Sequence, residues 1–324
     1  MSKNKILAFG EIMLRLSAGD IGIAEAQAFD ACYGGTECNV LACLSQLGHD
    51  VKYLTALPDT ELGRAAENHI KSFDIDTSDI VRRGDVMGVY FVENGNGSRG
   101  SNVIYMRKFS EFTRLCENDV NYDRVFDGVT LFHISGISFA LSESSRLLAY
   151  RLIDEAKQRG VTVSFDFNYR AKLWDTATAG EYFRRVINNV DIVLASTLDL
   201  SVFLNTTESD YFSRYNNEYL ILRDRKILSA DRHSVRVAIH RNSGGKVQSY
   251  VSPTVEFSVT EKIGGGDAFD GAMLHELLCG KDIKSAAQFA IAAFALKHTV
   301  KGDTFTGTIQ DVENYKTSFK DLLK

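Results

Sequence analysis

A three-layer α/β fold with a central, mostly parallel sheet and a small β-sheet lid is the architecture this sequence predicts, on three observations. Short apolar runs alternate with helical patterns from residue 5 to 195, which is the rhythm of βαβ units. Runs such as Lys5-Ile6-Leu7-Ala8-Phe9 suit central parallel strands, which are buried on both faces. One stretch, 86–109, breaks the rhythm with two short runs around a glycine-rich loop, the pattern of an antiparallel hairpin set into a parallel scheme.

Taken in order, the run 5–9 ends in Gly10-Glu11 and delivers polar residues to a carboxyl strand end, where open α/β sheets bind ligands. Tyr33-Gly34-Gly35-Thr36-Glu37-Cys38-Asn39 is a close-approach turn ahead of a helix carrying Val40, Leu41, Leu44 and Leu47, with Gly48 as C-cap. Asn39 offers a donor and an acceptor to a hydroxylated ligand, or it simply caps the helix start. Val51 to Leu57 is the next strand and Gly63 to Phe73 the next helix. In the hairpin, Val89-Tyr90-Phe91-Val92 and Asn102-Val103-Ile104-Tyr105-Met106 flank the loop Glu93 to Gly100. Too small to fold alone, the hairpin is expected to join a strand from about 12–35 as a lid. Alternation puts Tyr105 and Arg107 on one face, as an aromatic wall and a guanidinium for one ligand, or else as part of a solvated edge strand.

The rhythm resumes with Thr130 to Gly136, a helix from about Ser142 to Arg159 stopped by Gly160, and the strand Val161 to Asp166, which sets Asn168 and Arg170 at a carboxyl strand end. Asp191 to Ala195 is a further strand, and Ser196-Thr197-Leu198-Asp199 opens a helix. Residues 205–235 are polar and poorly patterned and receive no elements. Val235 to Ile239 and Lys246 to Val251 read as a second hairpin around Asn242-Ser243-Gly244-Gly245. A glycine-led helix over 268–278, an Ala-rich helix from Ile283 to His298, a turn at Lys301-Gly302-Asp303 and a helix over 308–324 close the chain. With no repeat or linker, residues 1–324 read as a single domain.

The chemistry concentrates in Gly264-Gly265-Gly266-Asp267. Three glycines allow positive φ and bring backbone N–H groups to one point, and the positive end of the following helix completes an anion hole for a phosphate in transfer. Asp267, on its rim, is placed to accept the proton of an attacking hydroxyl. The plainer alternative is a glycine turn with Asp267 as a helix cap.

Bulk properties narrow the class. A net charge of −5 without a Lys/Arg block argues against a nucleic-acid binder. There is no run of 18 apolar residues and no leader pattern ahead of residue 5, so the expectation is a cytoplasmic protein with no membrane partner. The five cysteines, Cys32, Cys38, Cys43, Cys116 and Cys279, lack a C-x-x-C pair and suit buried reduced thiols better than disulfides or zinc.

Gly34-Gly35 with Asn39, strand-end Asn168 with Arg170, and Gly264-Gly265-Gly266-Asp267 together resemble the ribokinase / phosphofructokinase-B family of sugar kinases along nearly the whole chain. Gly10 to Leu16, Tyr90 with Tyr105-Met106-Arg107, Asn168 to Trp174 and Ala295 to Thr299 look most like its 2-keto-3-deoxygluconate kinases. The resemblance implies a ribokinase-like fold and transfer of the ATP γ-phosphoryl group, with magnesium, to the 6-hydroxyl of that sugar acid. It implies Asp267 as catalytic base, Gly264 to Gly266 as anion hole, and Gly34, Gly35, Asn39, Tyr90, Tyr105, Arg107, Arg170 and Asp303 at the sugar. It also implies Asn168, Ser196, Asp199, Gly264 and Gly266 at the nucleotide, with Asp199 near magnesium through water. An Arg is well built to hold a carboxylate, which fits a sugar acid. Two departures stand out. The family's Asn-x-x-Glu is replaced by Ser196-Thr197-Leu198-Asp199, and its Thr-x-Gly-x-x-Gly strand by Ala238-Ile239-His240-Arg241-Asn242-Ser243-Gly244. The alternatives are a fructokinase, ribokinase or nucleoside kinase, or a catalytically weak sugar-acid binder. A homo-oligomer through the lid is expected from its exposed edges.

Overall fold

A computed structural model describes residues 4–319 apart from 20, 94–99 and 101, so most of the predicted loop 93–100 and the end of the predicted closing helix lie outside the described residues. The strands are β1 (Lys5–Phe9), β2 (Met13–Ser17), β3 (Asp30–Gly34), β4 (Asp50–Leu54), β5 (Ala56–Leu57), β6 (Val81–Arg82), β7 (Val89–Glu93), β8 (Asn102–Met106), β9 (Leu131–Ser135), β10 (Thr162–Asp166), β11 (Ile192–Ala195), β12 (Tyr219–Ile227), β13 (Arg232–Ser243), β14 (Lys246–Val251) and β15 (Val255–Ser258). The helices are α1 (Thr36–Gln46), α2 (Glu61–Lys71), α3 (Tyr122–Val125), α4 (Gly136–Ala140), α5 (Glu143–Gln158), α6 (Thr176–Ile187), α7 (Thr197–Leu204), α8 (Gly265–Leu278), α9 (Ile283–Lys297) and α10 (Ile309–Lys316).

The main sheet runs parallel through β4, β1, β9, β10, β11 and β12, then antiparallel to β13 and β14, with β15 also paired to β13. Alternate residues of its strands enter opposite cores. Ile6 and Ala8 pack with α1, α8 and α9, whereas Leu7 and Phe9 pack with α5, α6 and α7. This two-sided burial is why the strands read as unbroken apolar runs. Because β4 and β9 flank β1 on opposite sides, a crevice opens at the carboxyl ends of the strands.

The small sheet has the order β3-β2-β7-β8. The expected hairpin is present as β7 and β8, and it joins β2 through a parallel pairing. Its inner face packs Met13, Tyr90 and Val92 with Val103, Tyr105 and Ile263. Arg15 of β2 anchors it to the body by donating to Asp303 (2.5 Å) and Glu261 (3.2 Å).

Four expectations are corrected. The strand expected over 51–57 is split, β4 pairing with β1 and β5 with β6. Residues 205–235 hold β12 and the start of β13; β12 is buried over Tyr219 to Leu222 but carries Arg223, Asp224, Arg225 and Lys226 beyond, which hid it as a polar stretch. The second hairpin is longer than expected, with Ser243 opposite Lys246 and both turn glycines at positive φ, as in a type I′ turn. Of the cysteines, only Cys38 and Cys43 are buried, and Cys279 is exposed. Among the described residues no helix is long and apolar enough to cross a membrane.

Candidate active site

One cavity of about 560 Å³ at the carboxyl ends of the parallel strands is lined by Gly34, Gly35, Asn39, Tyr90, Tyr105, Arg107, Asn168, Arg170, Ser196, Asp199, Gly264, Gly266, Asp267 and Asp303. Residues selected from seven separate stretches of sequence therefore meet in space. Of the predicted set only Gly265 is missing: it is buried, and a Cβ there would come 2.0 Å from the His298 ring, so its smallness serves helix packing rather than contact with a ligand.

Gly264 caps α8 in the left-handed region (φ 79°), and a Cβ on it would approach the Asp303 carbonyl oxygen to 1.7 Å. Glycine is required there on both counts. The Ala268 N–H makes the first intrahelical bond, to Gly264 O (3.0 Å), so the N–H groups of Gly265, Gly266 and Asp267 precede the helix ladder. Asp267 is held in place from two other elements. The Thr36 hydroxyl donates to its Oδ1 (2.5 Å) and the Asn39 amide to its Oδ2 (2.7 Å). Asn168 in turn donates to Thr36 Oγ1 (2.8 Å) from a left-handed backbone position (φ 38°) that Asn tolerates. Thr36 was not singled out in the sequence, since its partner lies 231 residues away.

Below this cluster Glu37 is wholly buried. Its Oε1 accepts from Ser135 N–H (3.2 Å), Ser135 Oγ (2.7 Å) and Ser138 Oγ (3.2 Å), and burial pushes its carboxyl up to about 7.

On the lid side, Tyr90 and Tyr105 stack at 5.9 Å between centroids, and the Arg107 guanidinium lies 5.8 Å from the Tyr105 ring. Arg107 is buried, and its Nε and Nη2 donate to Oε2 of the buried Glu11, a partner 96 residues away. Tyr90 donates to Asp303 Oδ2 (2.5 Å), and a Cβ on Gly34 would lie 2.3 Å from that same oxygen. Burial holds the Asp303 carboxyl above its ordinary range, against the pull of Arg15.

At the other end Arg170 is exposed, and the lining continues with Asp166, Arg223, Arg225 and Lys262. Arg223 donates to Gly266 O (2.8 Å) and Asp270 Oδ1 (3.0 Å). Burial raises both Asp166 and Asp270, Asp270 further because the Asp166 carboxylate stands beside it. Asp199 Oδ2 closes a capping box with Ser196, accepting from its N–H and its hydroxyl (2.7 Å each), and burial raises its carboxyl. The segment 238–244, which replaces the family's Thr-x-Gly-x-x-Gly strand, is absent from the lining. Arg223 and Arg225 on β12 occupy that edge instead. The signal for them was the apolar run Tyr219-Leu220-Ile221-Leu222 followed by arginines two residues apart, which on a strand share a face.

The pattern of the pfkB family carbohydrate kinase matches residues 3–309. A 2-dehydro-3-deoxygalactonokinase of Haloferax volcanii is 32% identical, over 95% of this chain and 95% of its own. A 5-dehydro-2-deoxygluconokinase of Halalkalibacterium halodurans is 25% identical, over 90% of this chain and 87% of its own. The crystal structure of a 2-dehydro-3-deoxygluconokinase from Thermotoga maritima superposes with a TM-score of 0.91 at 34% identity, covering 97% of this chain and 99% of that one.

Proposed function

The chain belongs to the pfkB family of carbohydrate kinases, with a ribokinase-like α/β fold, and from that premise we propose that it transfers the γ-phosphoryl group of ATP to the 6-hydroxyl of 2-keto-3-deoxygluconate. The observation that carries the substrate class is a buried guanidinium, Arg107, in the same cavity as Asp267 and beside Tyr90 and Tyr105. Glu11 takes Nε and Nη2, so Nη1 is the part of the fork outside that ion pair. A sugar carboxylate gives such a group a partner, whereas a neutral hexose does not.

In this reading Asp267 accepts the proton of the attacking hydroxyl, while Thr36 and Asn39 fix the orientation of its carboxylate. Gly34, Tyr105 and Arg107 line the sugar side, with Tyr90 and Asp303 held together beside them. The amino end of α8 faces the transferred group. The donor set at the other end fits a nucleoside triphosphate with magnesium: Arg170, Arg223, Arg225 and Lys262 are cationic, and Asp166 and Asp199 offer hard oxygen ligands. Magnesium, when bound, neutralises phosphate charge. Ile104 (45% exposed) and Met106 (63%) on the outer lid face are where a second copy would pair.

A 5-keto-2-deoxyhexonate also carries a carboxylate, as the name of one relative suggests, and is the second reading. A catalytically weak binder has no use for a carboxylate held by two hydrogen bonds at a helix start. The test is ATP turnover over a panel of hexonates, fructose, ribose and nucleosides, on wild type and Arg107→Lys. Lys keeps a charge for Glu11 but loses the fork. An Arg–carboxylate hydrogen bond contributes roughly 1.5–3 kcal/mol, so kcat/KM for the acid should fall about 10- to 150-fold while neutral sugars barely change. Wild-type preference for fructose, or a parallel fall for both substrate classes, would overturn the sugar-acid assignment.

A further inference from the structure

Far from the cavity, three residues with metal-binding side chains converge where α1 and α8 end. His275 and Cys279 stand four apart at the carboxyl end of α8 and so share a face. His49 reaches them from the turn between α1 and β4. His49 Nε2 lies 2.9 Å from His275 Nδ1, Cys279 Sγ lies 4.0 Å from either nitrogen of His275, and one ligand atom from each of the three residues falls within 4.8 Å of the others. A tetrahedral zinc with bonds of about 2.0–2.1 Å to nitrogen and 2.3 Å to sulfur needs nitrogens roughly 3.3 Å apart and sulfur roughly 3.6 Å from each. The two imidazoles need only part by a few tenths of an ångström, and the exposed Cys279 side chain closes the rest. Glu276 Oε1 lies 3.8 Å from His275 Nε2, a carboxylate beside the imidazole that adds negative charge near a bound cation.

We propose that His49, His275 and Cys279 form a site for a d-block divalent cation of zinc type, with water as the fourth ligand. Binding converts the Cys279 thiol to a thiolate and releases its proton to solvent, with no redox change. Such an ion ties the α1–β4 turn to α8. His275 and Cys279 follow Asp267 by 8 and 12 residues, roughly 12 and 18 Å along the helix axis, so the ion sits away from the reacting groups and acts on stability rather than on transfer.

The experiment uses tag-free, chelator-stripped protein without nucleotide. Zinc should bind at one equivalent, release about one proton at a pH below the thiol range and raise Tm by several degrees. Cobalt in its place should give a thiolate-to-metal charge-transfer band. Cys279→Ser should abolish that band, and both it and His49→Gln should weaken zinc binding by about 10- to 100-fold with turnover unchanged. The exposed position of Cys279 keeps the serine variant folded. Absence of stoichiometric zinc binding, or equal affinity and an unchanged cobalt spectrum in Cys279→Ser, would overturn the proposal and leave the His49–His275 contact as an ordinary hydrogen bond.

Discussion

Replacing Asp267 by Asn is the sharpest test of the phosphoryl-transfer assignment, because the surrounding hydrogen bonds can be rebuilt around the amide. In the native protein Thr36 Oγ1 donates to one carboxylate oxygen and Asn39 Nδ2 to the other. In Asp267→Asn the amide oxygen can face Asn39 and the amide NH₂ can face Thr36. The Thr36 hydroxyl then accepts from both Asn168 and the new amide, which its two lone pairs allow. The Thr36 O–H loses its acceptor but is half-buried on the cavity wall and turns to solvent there, so the stability cost is about 1 kcal/mol. An amide cannot accept the hydroxyl proton. Loss of general base catalysis removes about 10²- to 10⁴-fold from kcat, equivalent to roughly 3–5 kcal/mol of transition-state stabilisation. The assay is steady-state turnover with the best hexonate, alongside sugar binding and a melting curve. A folded Asn variant that binds sugar and keeps kcat within tenfold of wild type would refute the base assignment and leave Asp267 as a helix-start carboxylate.

Asp199 is committed to its capping box through Oδ2, so Asp199→Ala should raise the magnesium concentration needed for half-maximal rate and lower kcat while sugar KM stays put; an unchanged magnesium titration with a lowered Tm would assign it to the cap alone. Glu37 has a folded value of about 7 against an ordinary 4.5, so it binds more protons folded than unfolded: its contribution is fully present below pH 4.5 and is lost as pH rises through 7, about 3 kcal/mol in all. Glu37→Gln should flatten that slope and be the more stable protein at pH 8, measured by denaturant unfolding between pH 4 and 8, and an identical slope in both proteins would contradict the burial argument.

What could be read from the sequence was whatever local backbone geometry marks. The glycine runs at 34–35 and 264–266 announce close approach, and the strand ends before Asn168 and Ser196 announce a ligand edge, so Asp267, Asn168 and Arg170 were found without any knowledge of their partners. Residues whose roles come only from distant contacts were not found. Glu11 holds Arg107 from 96 positions away, Thr36 reaches Asp267 over 231, and Arg15 reaches Asp303 over 288. No periodicity encodes such a pairing. Strand β12 was missed for a different reason: its inner half is buried in the sheet and its outer half brings arginines to the cavity edge, so averaged over its length it reads as polar.

Asp303 shows how the two halves of the site are joined. Its carboxylate accepts from Arg15 and Tyr90, both on the small sheet, while its backbone carbonyl lies so close to Gly264 that only glycine fits beneath it. The turn that carries it is fixed from behind by the wholly buried Lys297, whose ammonium donates to Val300 O (3.1 Å) and Gly302 O (2.7 Å). A lid held to the body through a carboxylate that packs on the cap of α8 cannot shift without moving the residue against which the anion hole is built. On the proposed assignment, Tyr90 and Gly34 on the sugar side and Gly264 on the phosphate side are therefore registered to each other by one side chain and one carbonyl. That rigidity is what transfer between two bound groups requires, since an error of an ångström in their separation costs on the order of 10²-fold in rate.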